Sequence, residues 1–449
     1  MIKFKNFLNS FILGWQYPLF VALCVLIGHT FSIEIIALSV IVASAVLGLF
    51  FTDKDLRFLL SPVLMIIYTI SEKSSNLGAG KLFHSSSVIS IFILASIFAA
   101  SVISYFIINR KRLHTKGLLS SKLFYAFLVL GISIILNGLF VKEGFTISNT
   151  LYALAVMASL FGIYLAFYVS IDFDKDFTKY LIYILFIASM VITLEFYSLF
   201  LNGQVKFADG KIIKESVITG WGIWNNMGCM MTMLLPIHFY LASFVKKYGF
   251  IFYLTGGISY LAIVLSLSRS SLLVSSFLLV ICVIYACFVG ENKLINRIIT
   301  LFALVACIAG IILLWDKISN ILNDYLERGL NDNGRFEIYI SGLKKFLSYP
   351  IFGTGFYSYA THQSGWLPFG YHNTPIQMLA SCGVVGILAY IYHRFITVKI
   401  CYQKRSIKNV PFYLCILGLL LTSLLDVHFF NIYPAFYYSI ILLTIEKAQ

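Results

Sequence analysis

The chain has 449 residues, of which 60% are hydrophobic and 12% charged, with a mean hydropathy of +0.90. Soluble domains carry about 25% charged residues, so the composition excludes one and describes a polytopic membrane protein. The 33 Lys and Arg against 19 Asp and Glu give a net charge of +14, which in such a protein reflects topology before nucleic acid; no nucleic-acid partner is expected.

Thirty glycines without a period, no sustained heptads and eight cysteines scattered through apolar runs exclude collagen-like, coiled-coil and disulfide-scaffold chains. Outer-membrane barrels are excluded as well, because their strands are only about 10 residues long and alternate apolar with polar. The fold expected is an all-α integral membrane protein, a single polytopic domain over residues 1–449. Apolar windows able to cross about 30 Å of hydrocarbon begin near residues 11, 33, 56, 88, 120, 147, 178, 221, 249, 270, 296, 374, 411 and 432. The third and last are short enough to be re-entrant, so 12 to 14 transmembrane helices are expected. Lys3 and Lys5 ahead of the first window resemble a secretion signal, yet no small-residue cleavage site follows, and the window is read as a span.

With the N-terminus inside and loops alternating, 21 of the 33 positive residues fall on the inner side and 12 on the outer, as the positive-inside rule requires. Two outer loops are more than turns. Residues 202–220 carry Lys206, Lys211 and Lys214, and residues 315–373 form an external loop inserted between transmembrane helices. The second is too rich in aromatic residues and glycine turns to be disordered. Within it Phe336, Ile340, Leu343 and Leu347 recur at helical spacing beside Lys344 and Lys345, which predicts an amphipathic helix on the membrane surface, ended by Pro350 and followed by a turn at Gly353 and Gly355.

Polar residues at the outer ends of these windows carry the chemistry. Arg269, in SLSRSSLL, sits in a tight outer turn against the charge rule, either as a snorkelling anchor or as an anion site. Arg335, in NDNGRFEIY, opens the amphipathic helix on the same side; alone it would pair with Asp332 or face water. His372 and Asn373 precede a helix for which Thr374 is the expected N-cap and Pro375 the first residue. Such a terminus attracts phosphate, and histidine can take a proton near neutrality, although a loop histidine can equally bond a backbone carbonyl. In WGIWNNMGCMMTMLLP the amides of Asn225 and Asn226 could bond sugar hydroxyls or phosphate oxygens, while Trp221 and Trp224 read as an aromatic belt or a sugar platform. Glu195, Asp426 and His428 are further ionisable groups for an aqueous cavity, the last two able to pair with each other. No phosphate-cradling Gly-rich loop, zinc-protease motif, nucleophile elbow or paired-Asp metal motif occurs, so neither a nucleotide-sugar donor, nor a metal, nor a cofactor is expected.

Four pieces together, WNNMGCMMTMLLP, the LSRS turn, GRFEIYISGLKKFLSYPIFGTGF and HNTPIQMLASCGVVGIL, resemble the bacterial O-antigen ligase and Wzy-type O-antigen polymerase superfamily across roughly the C-terminal half. The resemblance implies a glycosyltransferase of the bacterial inner (plasma) membrane whose active site faces the periplasm. It implies an undecaprenyl-pyrophosphate-linked glycan as donor, and a lipid-linked repeat unit (polymerase) or the lipid A core (ligase) as acceptor. Membrane lipids and a chain-length regulator protein are the other partners to expect. Arginine forks match diphosphate oxygens, so Arg269 and Arg335 are expected to stabilise the departing diphosphate and His372 to act as base or orienting donor toward the acceptor hydroxyl. The polymerase is the favoured expectation and the ligase the close alternative. A lipid-linked oligosaccharide flippase is the distant one, since flippases also have 12 to 14 spans but gain nothing from an outer loop carrying an arginine and a histidine.

Overall fold

A computed structural model describes residues 2–51, 55–69, 87–141, 147–174, 176–208, 211–220, 222–313, 315, 319, 323, 334–356 and 370–447. Trp221, Asn331, Asp332 and Asn333 lie outside them, as do Ser364 of the 315–373 loop and seven of the counted positive residues, Lys54, Lys73, Lys81, Lys142, Lys175, Lys317 and Arg328.

The chain is an all-α membrane protein. Among the described residues nine helices are long and apolar enough to cross a membrane, and four shorter apolar helices accompany them: Gln16–Phe31, Leu56–Thr69, Lys122–Ile135 and Gly249–Leu265. A further helix, Ile432–Lys447, closes the chain. Each of the fourteen windows read from the sequence therefore holds a helix. The short third one is irregular, an α-turn Leu60–Met65 between 3-10 turns Leu56–Leu59 and Ile66–Thr69. The longer 3-10 rise, about 2 Å per residue, lets so short a segment reach further: Arg57 at its start grips Asp174 at 2.8 Å, while Tyr68 near its end packs beside Gly220.

Helix Trp224–Phe244 is the hub. It is buried along nearly all its length and packs against Phe177–Leu201, Gly249–Leu265, Arg269–Phe288 and Val410–Leu425. Gly228 lies against Ser268 and Ser271, and Gly256 against Phe239; with lipid as apolar as the helices, close approach through small residues supplies the packing gain. Helices Ser87–Ile108 and Lys293–Leu313 instead expose long apolar side chains such as Phe92 and Phe302, as lipid-facing helices do.

Two further elements bear on the site. The 202–220 loop and the residues after it hold two short antiparallel pairs, Phe207–Ala208 with Lys211–Ile212 and Ile218–Thr219 with Gly222–Ile223. The amphipathic segment is a helix, Arg335–Ser348, started by Gly334 at φ +73°. Phe336, Ile340, Leu343 and Leu347 form its exposed apolar stripe, and its other side seats Gly342 on Tyr371 and Ile376.

Helix Thr374–Gln403 is broken at Gly383 (φ 63°, ψ −155°). The segment after the amphipathic helix fills the break: Thr354 and Gly355 N–H donate to the carbonyls of Ala380 and Ser381 at 2.9 and 3.0 Å, and Val384 and Val385 N–H donate to Pro350 and Ile351 at 2.7 and 3.2 Å. Every backbone group freed in an apolar environment needs a partner, and YPIFGTGF supplies them. That exchange locks the surface helix to the membrane helix that His372 precedes.

Candidate active site

Helix Val410–Leu425 ends at Asp426, whose backbone turns fully extended (φ −159°, ψ −176°) and whose carboxylate is buried. Val427 N–H donates to Oδ1 at 2.8 Å, His372 Nδ1 lies 3.0 Å from the same oxygen, and Asn225 Nδ2 reaches Oδ2 at 3.3 Å. Burial alone would raise the Asp426 pKa. The charges of His372 and His428 and the hydrogen bonds from His372 and Val427 outweigh it and hold the carboxyl below the usual carboxylate range. An ionised carboxylate only accepts, so in its neutral form the His372 ring has its proton on Nδ1 and its lone pair on Nε2.

His372 occupies the left-handed region at φ +49°. For a residue with a Cβ that costs of order 1–3 kcal/mol and persists only where its surroundings impose it. Here Tyr339 OH, from the surface helix, donates to the His372 carbonyl at 3.4 Å, and the Asp426 bond holds the ring. Leu267, in the turn before Arg269, is at φ +58°. Two of the three non-glycine residues with positive φ among those described thus flank this site.

Arg335 Nη1 donates to the Leu425 carbonyl at 3.2 Å, one residue before Asp426. Ser268 Oγ donates to Asn225 Oδ1 at 3.1 Å, and Ser271 Oγ is 3.0 Å away. A continuous polar chain therefore runs His372, Asp426, Asn225, Ser268, and Arg269 follows Ser268 as the first residue of its helix. A helix N-terminus carries roughly half a positive charge, which adds to the charge of the partly buried Arg269. His428 is buried with Nε2 3.9 Å from Asp426 Oδ2, beyond a hydrogen bond. Burial lowers its pKa, Asp426 offsets part of that, and the charges of His372 and Arg335 act with burial. The expected Asp426–His428 pair is thus secondary, because the carboxylate's hydrogen bond goes to His372.

The helix start differs from the sequence reading. The N-cap is Asn373, whose Oδ1 accepts from Ile376 N–H at 3.0 Å; Thr374 is the first helical residue and Pro375 the second. Thr374 is diverted because its hydroxyl donates to the Asp426 carbonyl at 3.3 Å. Asn373 Nδ2 donates to Leu424 O at 2.8 Å, so its amide is engaged at both ends in holding two helices together. The two asparagines of WNNMG diverge: Asn225 joins Asp426, whereas Asn226 accepts from Asn431 Nδ2 at 3.0 Å. Glu195 stands apart from the Asp426 chain, buried, with Gly220 N–H donating to Oε2 at 3.2 Å. Sequence reasoning did not single out Ser268, Tyr339 or the Leu425 carbonyl; for Ser268 the only signal was its place before Arg269, and for Tyr339 its position four residues after Arg335. Among the described residues no cluster of His, Cys, Asp and Glu is placed to hold a metal ion.

A family model described as O-Antigen ligase matches residues 254–391. Over this segment the chain is similar to the O-antigen ligase family. The match, less than a third of the chain, includes Arg269, Arg335 and His372 and stops before Asp426. No curated protein matches the chain. The O-antigen ligase segment thus contributes the two arginines and the histidine, while Asn225 before it and Asp426 after it complete the polar chain.

Proposed function

We propose that this protein is a membrane glycosyltransferase that moves a glycan from undecaprenyl pyrophosphate to an acceptor sugar hydroxyl, and that it acts as a repeat-unit polymerase at the outer face of the inner membrane. The observation that supports this most is the meeting of Arg335, His372 and Asp426 at the ends of three helices, two of the three residues coming from the O-antigen ligase segment. In this reading His372 Nε2 takes the acceptor hydroxyl proton as its oxygen attacks the anomeric carbon. The bond from that carbon to the diphosphate oxygen breaks, and the lipid diphosphate departs with its charge met by Arg335 and Arg269. Asp426 fixes the tautomer and stabilises the imidazolium that forms, the part a buried carboxylate plays beside histidine in hydrolases.

Transfer to the lipid A core is the second reading, favoured by the description of the matching family as a ligase. Purified protein in liposomes is supplied with lipid-linked glycan alone, or with a lipid A core acceptor, and products are resolved on gels. Chain growth on the lipid carrier supports the polymerase, and glycan on the core supports the ligase. Movement of donor across the bilayer with no new glycosidic bond defeats both and leaves a flippase.

A further inference from the structure

Helix Thr374–Gln403 begins beside His372, and helix Val410–Leu425 ends beside Asp426, so the turn joining them, residues 404–409, lies at the opposite end of both. At that end a cavity of about 440 Å³ opens between this turn, Phe173, Asp174, Phe177 and Thr178, and the end of helix Ile432–Lys447. Lys404, Arg405, Lys408 and Lys447 line it, and the carboxylate in its wall, Asp174, is already gripped by Arg57 at 2.8 Å. A second cavity of about 550 Å³ adjoins across Phe173 and Lys447, adding Lys111 and Lys116 and the exposed Asp172. Six Lys and Arg thus face two carboxylates across one hollow.

We infer that this hollow binds the phosphate of an anionic phospholipid headgroup. A topological excess of Lys and Arg needs only exposed positions, whereas here the charges converge from three separate segments on a concave surface. Lys447 is held in place, its ammonium 3.5 Å from the Tyr168 ring centroid. The hollow sits where several membrane-spanning helices end, at headgroup depth, and Tyr168, Phe173 and Phe177 border it as aromatic side chains do at the acyl boundary. Lipid, rather than a soluble anion, fits that depth. The bound headgroup ties the start of helix Phe177–Leu201 to the turn between the two helices whose far ends carry His372 and Asp426.

The test needs no transferase activity. Protein in zwitterionic detergent is titrated with short-chain phosphatidylglycerol, phosphatidylcholine or inorganic phosphate, and binding is read by native mass spectrometry and by thermal shift. Phosphatidylglycerol is expected to bind and stabilise where the other two do not. Each lysine or arginine near an anionic headgroup contributes about 1 kcal/mol, or about fivefold, so the combined Lys404→Gln, Arg405→Gln, Lys408→Gln variant should bind it about a hundredfold more weakly. Lys246→Gln with Lys247→Gln, on the same face at the end of helix Trp224–Phe244 but outside the hollow, should leave it within about threefold. Should the triple variant fold poorly, Arg405→Gln alone is expected to lose about fivefold. Equal weakening by the control pair would mean generic surface charge, and an equal shift with inorganic phosphate would mean a soluble-anion site; either result overturns the assignment.

Discussion

The Asp426→Asn substitution isolates the charge that orients His372. The side chains are isosteric, and the carbonyl of the introduced amide can still accept from Val427 N–H and His372 Nδ1, which lie at 2.8 and 3.0 Å in the native site. Its new NH2 would face the Asn225 NH2, now 3.3 Å from Oδ2; an Asn225 flip resolves that and turns its NH2 toward the Ser268 hydroxyl, which can accept. The fold should therefore survive, with melting temperature changed by only a few degrees. What disappears is one charge-assisted hydrogen bond, worth about 1.5–3 kcal/mol, and the partner that stabilises the imidazolium in the transition state. At tenfold per 1.36 kcal/mol, turnover should fall by about 10- to 150-fold with KM for the lipid-linked donor little changed. The assay is initial-rate glycan transfer by purified protein in liposomes, beside His372→Ala as the reference for a lost base. If Asp426→Asn turns over within about threefold of the parent while His372→Ala is inactive, the carboxylate does not act through the histidine and the proposed chain is wrong.

Further outcomes follow from the same geometry. Arg335→Lys keeps the charge but loses the planar fork and the reach to the Leu425 carbonyl, so transfer should drop at least about tenfold, and full activity would remove Arg335 from diphosphate recognition. Gly342→Val drives a side chain into Tyr371 and Ile376; overpacking of about 1–3 kcal/mol should displace the surface helix and lower activity, whereas an unchanged rate and melting temperature would show that this contact is slack. Acid should destabilise the protein in two stages. His428, with its pKa lowered in the folded state, is protonated more readily when unfolded, so stability falls below about pH 6.5. Asp426, also lowered, stabilises above the ordinary carboxylate range and loses that contribution as pH falls through and below it; thermal melts from pH 8 to 2 should slope downward toward acid, with a shallower upper stage in His428→Gln. Ser364→Cys in a cysteine-free background should react with an impermeant reagent from the outer side, and labelling only from the inner side would reverse the orientation used for the proposed site.

Composition and hydropathy alone determine that this is an α-helical membrane protein, and they locate its helices, because in lipid each segment must satisfy its own backbone and so declares itself as an apolar run. Arg269, Arg335 and His372 stood out as candidates for a related reason: a polar group at the end of such a run has few explanations, and the motifs around these three resemble one family. The surface helix was legible too, since Phe336, Ile340, Leu343 and Leu347 repeat at helical spacing. Partnership was not. Asn225 and Asn226 are adjacent in sequence, yet successive residues on a helix point about 100° apart, so one meets Asp426 and the other Asn431. Asn373 rather than Thr374 became the cap because helix Val410–Leu425 arrives with two backbone carbonyls, one for each side chain, a contact across about fifty residues that no local pattern encodes. Asp426 took His372 rather than His428, its neighbour in sequence, for the same reason, the left-handed backbone at His372 turning its ring onto the carboxylate while His428 stays 3.9 Å away. Tertiary packing decided these pairings because a hydrogen bond depends on tenths of an ångström between helices, whereas the hydropathy that places the helices depends only on which side chains follow one another.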